Sequence, residues 1–316
     1  TGYGGFNLSE TPYFSAPLFQ WFDAGGLFAL PNLRGGGEYG DAWHEAGMLS
    51  KKQNVFDDFL AAAGWLIENG WTKTEKLAIS GGSNGGLLTG AAITQRPDLF
   101  RVAIVAVPLL DMLRYQDFLM ARYWVPEYGS AENEDQFEYL RAYSPYHHVR
   151  TGIRYPAVLL TAGEHDSRVH ALHARKMTAL LQASTASDPA TAPVLLWVDR
   201  EAGHGQGKPL NLRVRDTADQ RIFLMWQLGM LDGAVTQHAP VEIAQFTWLR
   251  SPDEGMWYPS VRIGETVSAG QNIGRIGNLY GDTLAEIAAP HDGVVLFITS
   301  APAMPKDGLI ISVGGA

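Results

Sequence analysis

The chain has 316 residues, of which 46% are hydrophobic and 18% charged, and it carries a net charge of −9. A chain of this size and composition can bury enough apolar surface to fold as one large or two smaller domains, which excludes a disordered protein. The negative charge disfavours contact with a phosphate backbone, and no apolar run reaches the roughly 18–20 residues of a membrane span. We therefore expect no nucleic-acid partner and no membrane insertion.

The sequence contains no cysteine, which excludes disulfides, thiolate zinc sites and cysteine nucleophiles. Its first residues, TGYGGFNLSETP, lack the basic start and apolar core of a signal peptide. We therefore predict a cytoplasmic protein.

Residues 1–232 alternate short apolar runs with amphipathic stretches. Runs that are apolar on both faces predict strands of a parallel sheet covered by helices on each side. These runs are LFALP (27–31), KLAIS (76–80), RVAIVAV (101–107), AVLLT (157–161) and VLLWV (194–198). Helices are predicted at 51–70, 170–184 and 213–231, the first with an apolar face of Val55, Phe59, Ala62, Leu66 and Ile67 and a stop at Asn69-Gly70. The alternation predicts a doubly wound α/β domain.

Beyond residue 232 the pattern changes to short alternating runs broken by glycines. Strands with turn signals every 8–12 residues predict a small all-β module over residues 233–316. We place the boundary between Leu231 and Pro240.

The stretch LAISGGSNGGLLTGAAI predicts a strand, a sharp turn at Gly81-Gly82-Ser83-Asn84-Gly85 and a helix. This is the nucleophile-elbow pattern, in which a serine lies at the N-terminus of a helix and side chains at 81, 82 or 85 are expected to collide with backbone. The alternative is an ordinary glycine-serine loop between a strand and a helix.

Two later residues complete a catalytic pattern. Asp166 follows the strand AVLLT, and His204 lies in a glycine-flanked loop after VLLWV. The order Ser83, Asp166, His204 beyond successive strands is that of the α/β-hydrolase triad, with His204 as base and Asp166 orienting it. The alternative is that Asp166 caps a helix and His204 is a plain loop residue.

Several segments over residues 1–232 resemble the catalytic domain of prolyl oligopeptidases. They are YGGFN (3–7), NLRGGGEYG (32–40), KQNVFDDF (52–59), GGSNGG (81–86), QRPDLF (95–100), DML (111–113), HDSRV (165–169) and AGHGQGKP (202–209). The resemblance implies the triad above and an oxyanion hole from the hydroxyl of Tyr3 and the backbone N–H of Asn84.

The same resemblance implies a substrate pocket. Trp124 corresponds to the indole that stacks on a proline ring, and Arg168 to an arginine that binds a substrate carbonyl. The pocket is completed by Phe6, Leu109, Tyr128 and Val169. Without the resemblance, Trp124 and Tyr128 would be interpreted as core aromatics, and Arg168 as the partner of Glu38 or Asp166.

Two features depart from that family. Prolyl oligopeptidases carry a β-propeller that restricts entry to short peptides, and no part of this sequence resembles one. The family also has strands before the YGGF loop, one of them central, whereas this sequence begins in that loop. We therefore expect the sheet to lack its N-terminal strands and to be completed by the β module or by a second copy of the chain, which predicts a homo-oligomer.

The β module resembles the C-terminal domain of succinylglutamate desuccinylase and aspartoacylase proteins and, more distantly, the barrel-sandwich fold of biotinyl or lipoyl carriers. The hairpin at 276–286 has no lysine to carry such a group, and Lys306 is distant from it. We expect a structural role.

No cofactor or metal is predicted. Arg34-Gly35-Gly36-Gly37 lacks the lysine of a phosphate loop and is expected to let the backbone bend beneath the active site. His147 and His148 are adjacent, and His165, His170 and His173 are close together, but no metal motif accompanies them, so structural or solvated roles are expected.

The preferred function is a serine hydrolase that acts through an acyl-Ser83 intermediate, mostly on esters of small or aromatic acyl groups. The alternatives are a post-proline oligopeptidase acting on short peptides, and a non-catalytic assembly module with a relic triad.

Overall fold

Four strands within the first 232 residues pair side by side in chain order, and every pairing is parallel. They are β1 (Ala78–Gly82), β2 (Val102–Ala106), β3 (Ala157–Gly163) and β4 (Val194–Asp199). The computed structural model describes residues 1–205, 208–231, 245–299 and 303–315. Four of the five predicted strands are confirmed, and the carboxyl ends of all four lie at one edge of the sheet.

Helices connect these strands, as parallel pairing requires, and further helices precede the first strand and follow the last. They are α1 (Ala16–Asp23), α2 (Asp41–Glu45), α3 (Gln53–Glu68), α4 (Asn84–Gln95), α5 (Val125–Tyr128), α6 (Glu134–Tyr143), α7 (Pro145–His148), α8 (Leu172–Ser184) and α9 (Leu210–Gln227). Single turns of 3₁₀ helix occur at Leu49–Lys51, Thr74–Lys76, Pro97–Leu99, Tyr115–Asp117 and Ala121–Trp124. The predicted α/β architecture is confirmed.

Helix α3 shows how the apolar pattern becomes a buried face. Val55 and Phe59 are buried as predicted, and so is Phe56, which the predicted face omitted. The helix ends at the predicted stop, where Gly70 adopts the left-handed conformation (φ +73°) that glycine tolerates best. Helix α4 is buried on all sides, between the sheet and helices α3 and α7.

The predicted strand at 27–31 is wrong. These residues form no strand, and Leu27 is 63% exposed. Thr1 lies between this segment and β1: its hydroxyl donates to the carbonyl oxygen of Ser80 (2.8 Å) and its amino group to that of Ala29 (3.0 Å). Thr1 thus connects the apolar run to β1, but among the described strands β1 pairs only with β2.

The residues from 233 onward form a separate all-β unit, since the chain divides into Thr1–Asp232 and Gly233–Ala316. Its strands are β5 (Gln245–Arg250), β6 (Gly255–Pro259), β7 (Thr266–Val267), β8 (Asn272–Gly277), β9 (Thr283–Ala288), β10 (Gly293–Ile298), β11 (Ala303–Met304) and β12 (Leu309–Gly315). They form two antiparallel sheets, in the orders β5-β12-β10-β7 and β11-β6-β8-β9. Residues 232–240, in which the predicted boundary falls, lie outside the described residues.

The core of this unit is formed by apolar side chains from both sheets, including Trp257, Ile276, Ile287, Val295 and Ile311. The turn between β8 and β9 is held by the side chain of Asn278, which accepts from the backbone N–H groups of Tyr280 and Asp282. Within the part of the chain described, no helix is long and apolar enough to cross a membrane.

Candidate active site

Ser83 lies in a strained turn between β1 and α4. Its backbone adopts φ +59° and ψ −116°, a conformation that residues with a side chain rarely adopt, and its N–H donates to the carbonyl oxygen of Ala106 (2.9 Å). Strain of this kind costs about 1–3 kcal/mol and is concentrated at functional sites. The turn places Ser83 at the N-terminus of α4, where the helix dipole favours developing negative charge.

Three glycines allow this turn. A side chain at Gly81 would collide with the carbonyl of Gly85, one at Gly85 would lie 2.7 Å from the carbonyl oxygen of Gly2, and one at Gly86 would lie 2.7 Å from Pro108. The expectation for Gly82 is wrong: a Cβ there would be 3.8 Å from Ala106, an ordinary contact, because this position faces a small neighbour.

Asp166 and His204 form a hydrogen-bonded pair, with 2.6 Å between Oδ2 and Nδ1. The other carboxylate oxygen of Asp166 accepts the backbone N–H groups of Arg168 and Val169, each at 2.8 Å. Burial alone would raise the pKa of Asp166, but the hydrogen bond from His204 and these two N–H groups outweigh it and lower the pKa. The carboxylate therefore stays ionised and can orient His204.

The loops that carry this pair are joined by backbone hydrogen bonds. Glu164 donates its N–H to the carbonyl of Asp199 (2.8 Å), and His165 donates to that of Ala202 (3.1 Å). No hydrogen bond connects Ser83 to His204 among the described residues. Catalytic hydrogen bonds are often long before substrate binds, so the role of His204 as the base of Ser83 stays a prediction.

Tyr3 is the predicted oxyanion donor whose hydroxyl lies beside the Ser83 side chain. Burial raises the pKa of Tyr3, although the charge of Arg168 and the bond to Ser83 oppose this. The hydroxyl is thus protonated at neutral pH and can donate. The second predicted donor is the backbone N–H of Asn84, the first residue of α4. The N–H groups in the first turn of a helix have no partner within the helix, so this one can donate to an oxyanion.

Arg168 is half-buried near Tyr3, and its Nε is buried without a hydrogen-bond partner. Within the described residues its guanidinium forms no ion pair, so neither Glu38 nor Asp166 is its partner as the alternative interpretation had it. A cation with an unused donor near Tyr3 can bind a carbonyl oxygen.

The predicted pocket residues belong to one apolar cluster. Leu109, Trp124, Tyr128 and Val169 are buried in it, and Phe6 packs against it. The Phe6 ring meets Trp124 and Tyr128 edge-on, with ring centroids 6.4 Å and 5.5 Å apart. Trp124 is 8% exposed and Tyr128 is fully buried. Both are therefore core aromatics in this structure, and only Phe6 of these three rings is half-exposed.

A buried ion pair that was not predicted from the sequence lies next to the loop that carries Tyr3. Lys52 and Glu127 are 1% and 5% exposed and form an ion pair with 3.2 Å between Nζ and Oε1. The Nε2 atom of His44 lies 2.8 Å from Oε2 of the same Glu127. One signal was present, because Lys52 shares a helix face with Val55 and Phe59, and that face is buried.

The predicted bend at Arg34–Gly37 is found, since its glycines lie against the loop of residues 3–8. A side chain at Gly35 would lie 2.8 Å from the carbonyl oxygen of Gly4, and one at Gly36 would lie 2.9 Å from that of Leu8. The Arg34 guanidinium forms an ion pair with Asp58 (2.6 Å).

Four of the clustered histidines, including His147 and His173, have structural side-chain contacts. His147 Nδ1 lies 2.8 Å from the Ser144 hydroxyl. His173 is buried, and its Nδ1 accepts the N–H groups of Leu110 and Asp111, each at 3.2 Å, which fixes the loop next to Leu109.

Burial lowers the pKa of His173 to about 4. An unfolded chain takes up this proton near pH 6.5, whereas the folded protein resists it to about pH 4, so stability is lost as the pH falls across this interval. Between pH 7 and 4.5 we expect urea unfolding to show that wild type loses about 2–3 kcal/mol more than His173→Asn, which keeps an acceptor but no titration. Parallel losses in both proteins would contradict this.

Several known peptidases are similar to this chain. The model of the prolyl oligopeptidase family matches residues 12–231. A prolyl endopeptidase of Elizabethkingia miricola is 46% identical over 229 residues, which are 72% of this chain and 32% of that protein. The dual function macrocyclase-peptidase POPB of Galerina marginata is 39% identical over 232 residues, 72% of this chain and 32% of that protein.

Solved structures agree. One from a structural and mechanistic analysis of two prolyl endopeptidases is 52% identical with a TM-score of 0.70, covering 72% of this chain and 33% of that one. A post-proline cleaving enzyme from Rickettsia typhi is 36% identical with a TM-score of 0.67, covering 72% and 33%. The chain spans about a third of the length of the curated relatives it matches.

Proposed function

Because the chain belongs to the prolyl oligopeptidase family, we propose that it is a serine hydrolase that cleaves short peptides after proline. The observation that carries this proposal is the strained Ser83 turn, with the Tyr3 hydroxyl beside Ser83 and His204 oriented by an ionised Asp166. These are the groups that acyl transfer needs: a nucleophile, a base and a donor for the developing oxyanion.

In this proposal Ser83 Oγ attacks the carbonyl carbon of the prolyl residue while His204 takes its proton. The oxyanion accepts hydrogen bonds from the Tyr3 hydroxyl and the Asn84 N–H. His204 then protonates the leaving amine, the C–N bond breaks, and an acyl-Ser83 intermediate remains. Water activated by His204 hydrolyses this ester, and the proton returns to Ser83.

We assign substrate recognition to the apolar cluster and Arg168. Phe6, Trp124 and Tyr128 provide aromatic surface against which a flat ring can pack, and Leu109 and Val169 complete its walls. The unused Nε donor of Arg168 suits a substrate carbonyl. Since Trp124 and Tyr128 are buried, small shifts around Phe6 must open the pocket to a prolyl ring.

The comparisons favour peptides over the esters preferred from the sequence alone, because the relatives are named as prolyl endopeptidases. Activated esters should still react, since a nitrophenolate leaves without needing the proton that an amine requires. A comparison of acyl-Gly-Pro-anilide, acyl-Gly-Ala-anilide and nitrophenyl acetate tests the proposal. We expect kcat/KM for the prolyl anilide to exceed that for the alanyl anilide by at least 10-fold. Turnover of the acetate alone would support the esterase function instead, and no turnover would support the assembly function.

Trp124→Ala should lower kcat/KM for the prolyl anilide more than for nitrophenyl acetate. The indole offers stacking of about 0.5–1.5 kcal/mol beyond area burial, in addition to the burial itself, and the acetyl group is too small to use either. We expect a difference of about 10-fold or more between the two substrates. Phe118→Ala, which removes an aromatic ring that contacts His170 and His173, is the control. Equal losses on both substrates for Trp124→Ala would mean that the indole only packs the core.

For the β unit we propose the barrel-sandwich fold of the desuccinylase C-terminal module and a structural role. Its β8–β9 turn presents Leu279 and Tyr280 to solvent and has no lysine for a carried group. We also propose that the chain self-associates. Among the described strands β1 pairs only with β2, and an unpaired strand edge can bind a strand of another chain. Sedimentation of the full chain would test it, and a strict monomer would refute it.

A further inference from the structure

The loop that carries Tyr3 is held by two buried side chains. The Nδ2 atom of Asn84 donates to the carbonyl oxygen of Tyr3 (2.6 Å), and the Nζ atom of Lys52 donates to that of Gly4 (3.0 Å). The loop needs such support, because Phe6 and Asn7 adopt φ values of +58° and +56°. A conformation this unfavourable persists only where neighbouring groups fix it.

The Lys52 ammonium also connects this loop to the pocket. It pairs with Glu127, which lies in α5 between Trp124 and Tyr128 and also contacts His44. The Tyr128 ring lies below the same ammonium, 5.2 Å from Nζ to the ring centroid, and its hydroxyl donates to Oδ1 of Asn84 (2.8 Å). Two buried sets of contacts therefore connect α5 to the carbonyl oxygens of Tyr3 and Gly4, which are consecutive residues of the loop.

A buried ion pair is weak evidence for stability, because desolvation of both charges offsets their attraction. Burial strongly opposes the charge on Lys52 and lowers its pKa, while Glu127 raises it. Burying this ammonium is unfavourable, yet it donates a hydrogen bond to the backbone next to Tyr3. This arrangement is better explained by positioning of the loop than by stabilisation of the fold.

We propose that Lys52 and Glu127 are positioning residues that hold the Tyr3 hydroxyl against Ser83. They act through the Gly4 carbonyl and do not touch the substrate. The inference rests on the proposed function, in which Tyr3 donates to the oxyanion. It predicts that the pair contributes to catalysis only through Tyr3.

A double-mutant cycle tests this. The variants are Tyr3→Phe, the pair variant Lys52→Met/Glu127→Gln, and their combination, assayed on acyl-Gly-Pro-anilide with kcat expressed per Ser83 labelled by a fluorophosphonate. Tyr3→Phe should lower kcat about 100-fold, as expected for one oxyanion donor. The pair variant should lower kcat by about 10-fold or more and change KM less than 3-fold, because a mispositioned Tyr3 weakens only the transition state. In the Tyr3→Phe background the pair variant should lower kcat by less than about 3-fold.

The control is Lys176→Met, which removes an ion pair to the buried Asp111 at a distance from the Tyr3 loop. Its effect should multiply with that of Tyr3→Phe, because it acts independently. If the kcat reduction of the pair variant also multiplies with that of Tyr3→Phe, the pair is merely structural and the inference fails. If Tyr3→Phe alone has no effect, the oxyanion role in the proposed function fails instead. Glu127→Gln, which keeps the side-chain size, goes through the same cycle and decides the question if the pair variant does not fold.

Discussion

Replacing Ser83 by alanine is expected to lower kcat on acyl-Gly-Pro-anilide by a factor on the order of 10⁴ or more, since loss of the nucleophile removes the acyl-enzyme route. The fold should survive, because the Ser83 side chain makes no capping hydrogen bond to α4. Thermal unfolding and kcat/KM measured on the same preparation check both statements.

Ser80→Ala is the matched control for that experiment, since Ser80 lies in β1, three residues before Ser83, and its side chain makes no hydrogen bond among the described residues. It should keep nearly full activity. If Ser83→Ala kept even a tenth of wild-type turnover, the mechanism proposed here would be wrong.

Asp166→Asn should cost about 10³–10⁴ in kcat, somewhat less than loss of the nucleophile. The carboxylate uses Oδ1 for two backbone N–H groups and Oδ2 for His204. An asparagine has only one oxygen, and if that oxygen serves the backbone, its NH₂ group faces His204 Nδ1. The imidazole must then place its proton on the other nitrogen, where it cannot accept from Ser83.

The stability of Asp166→Asn should change much less than its activity, because the amide still fills the site. Asp98→Asn, which removes an exposed carboxylate bound to Arg96, is the control and should leave kcat unchanged. A loss of less than 10-fold for Asp166→Asn would show that this carboxylate does not set the state of His204.

The positions of the candidate triad could be predicted because each residue follows a strand. Parallel strands bring their carboxyl ends to one edge, so an apolar run followed by Ser83, Asp166 or His204 already places the three loops together. The turn glycines could be predicted only in part, since the environment of Gly82 depends on how close β2 comes, and its neighbour there is Ala106.

Other features depend on contacts that no local pattern encodes. Lys52 meets Gly4 and Glu127 across separations of 48 and 75 residues, and His173 meets Leu110 across 63. The segment 27–31 has the apolar character of a buried strand, but whether it pairs depends on what lies beside β1. Local sequence patterns therefore predicted the turn at Ser83 and the strands that were found. The buried polar contacts could be identified only from the folded structure.

The central claim, post-proline hydrolysis through acyl-Ser83, is tested most directly by labelling the full chain with a fluorophosphonate and locating the adduct by peptide mass spectrometry. We predict one adduct, on Ser83, whose formation is slowed by excess acyl-Gly-Pro-anilide and not by acyl-Gly-Ala-anilide. No adduct, an adduct on another residue, or equal protection by the two anilides would contradict the account.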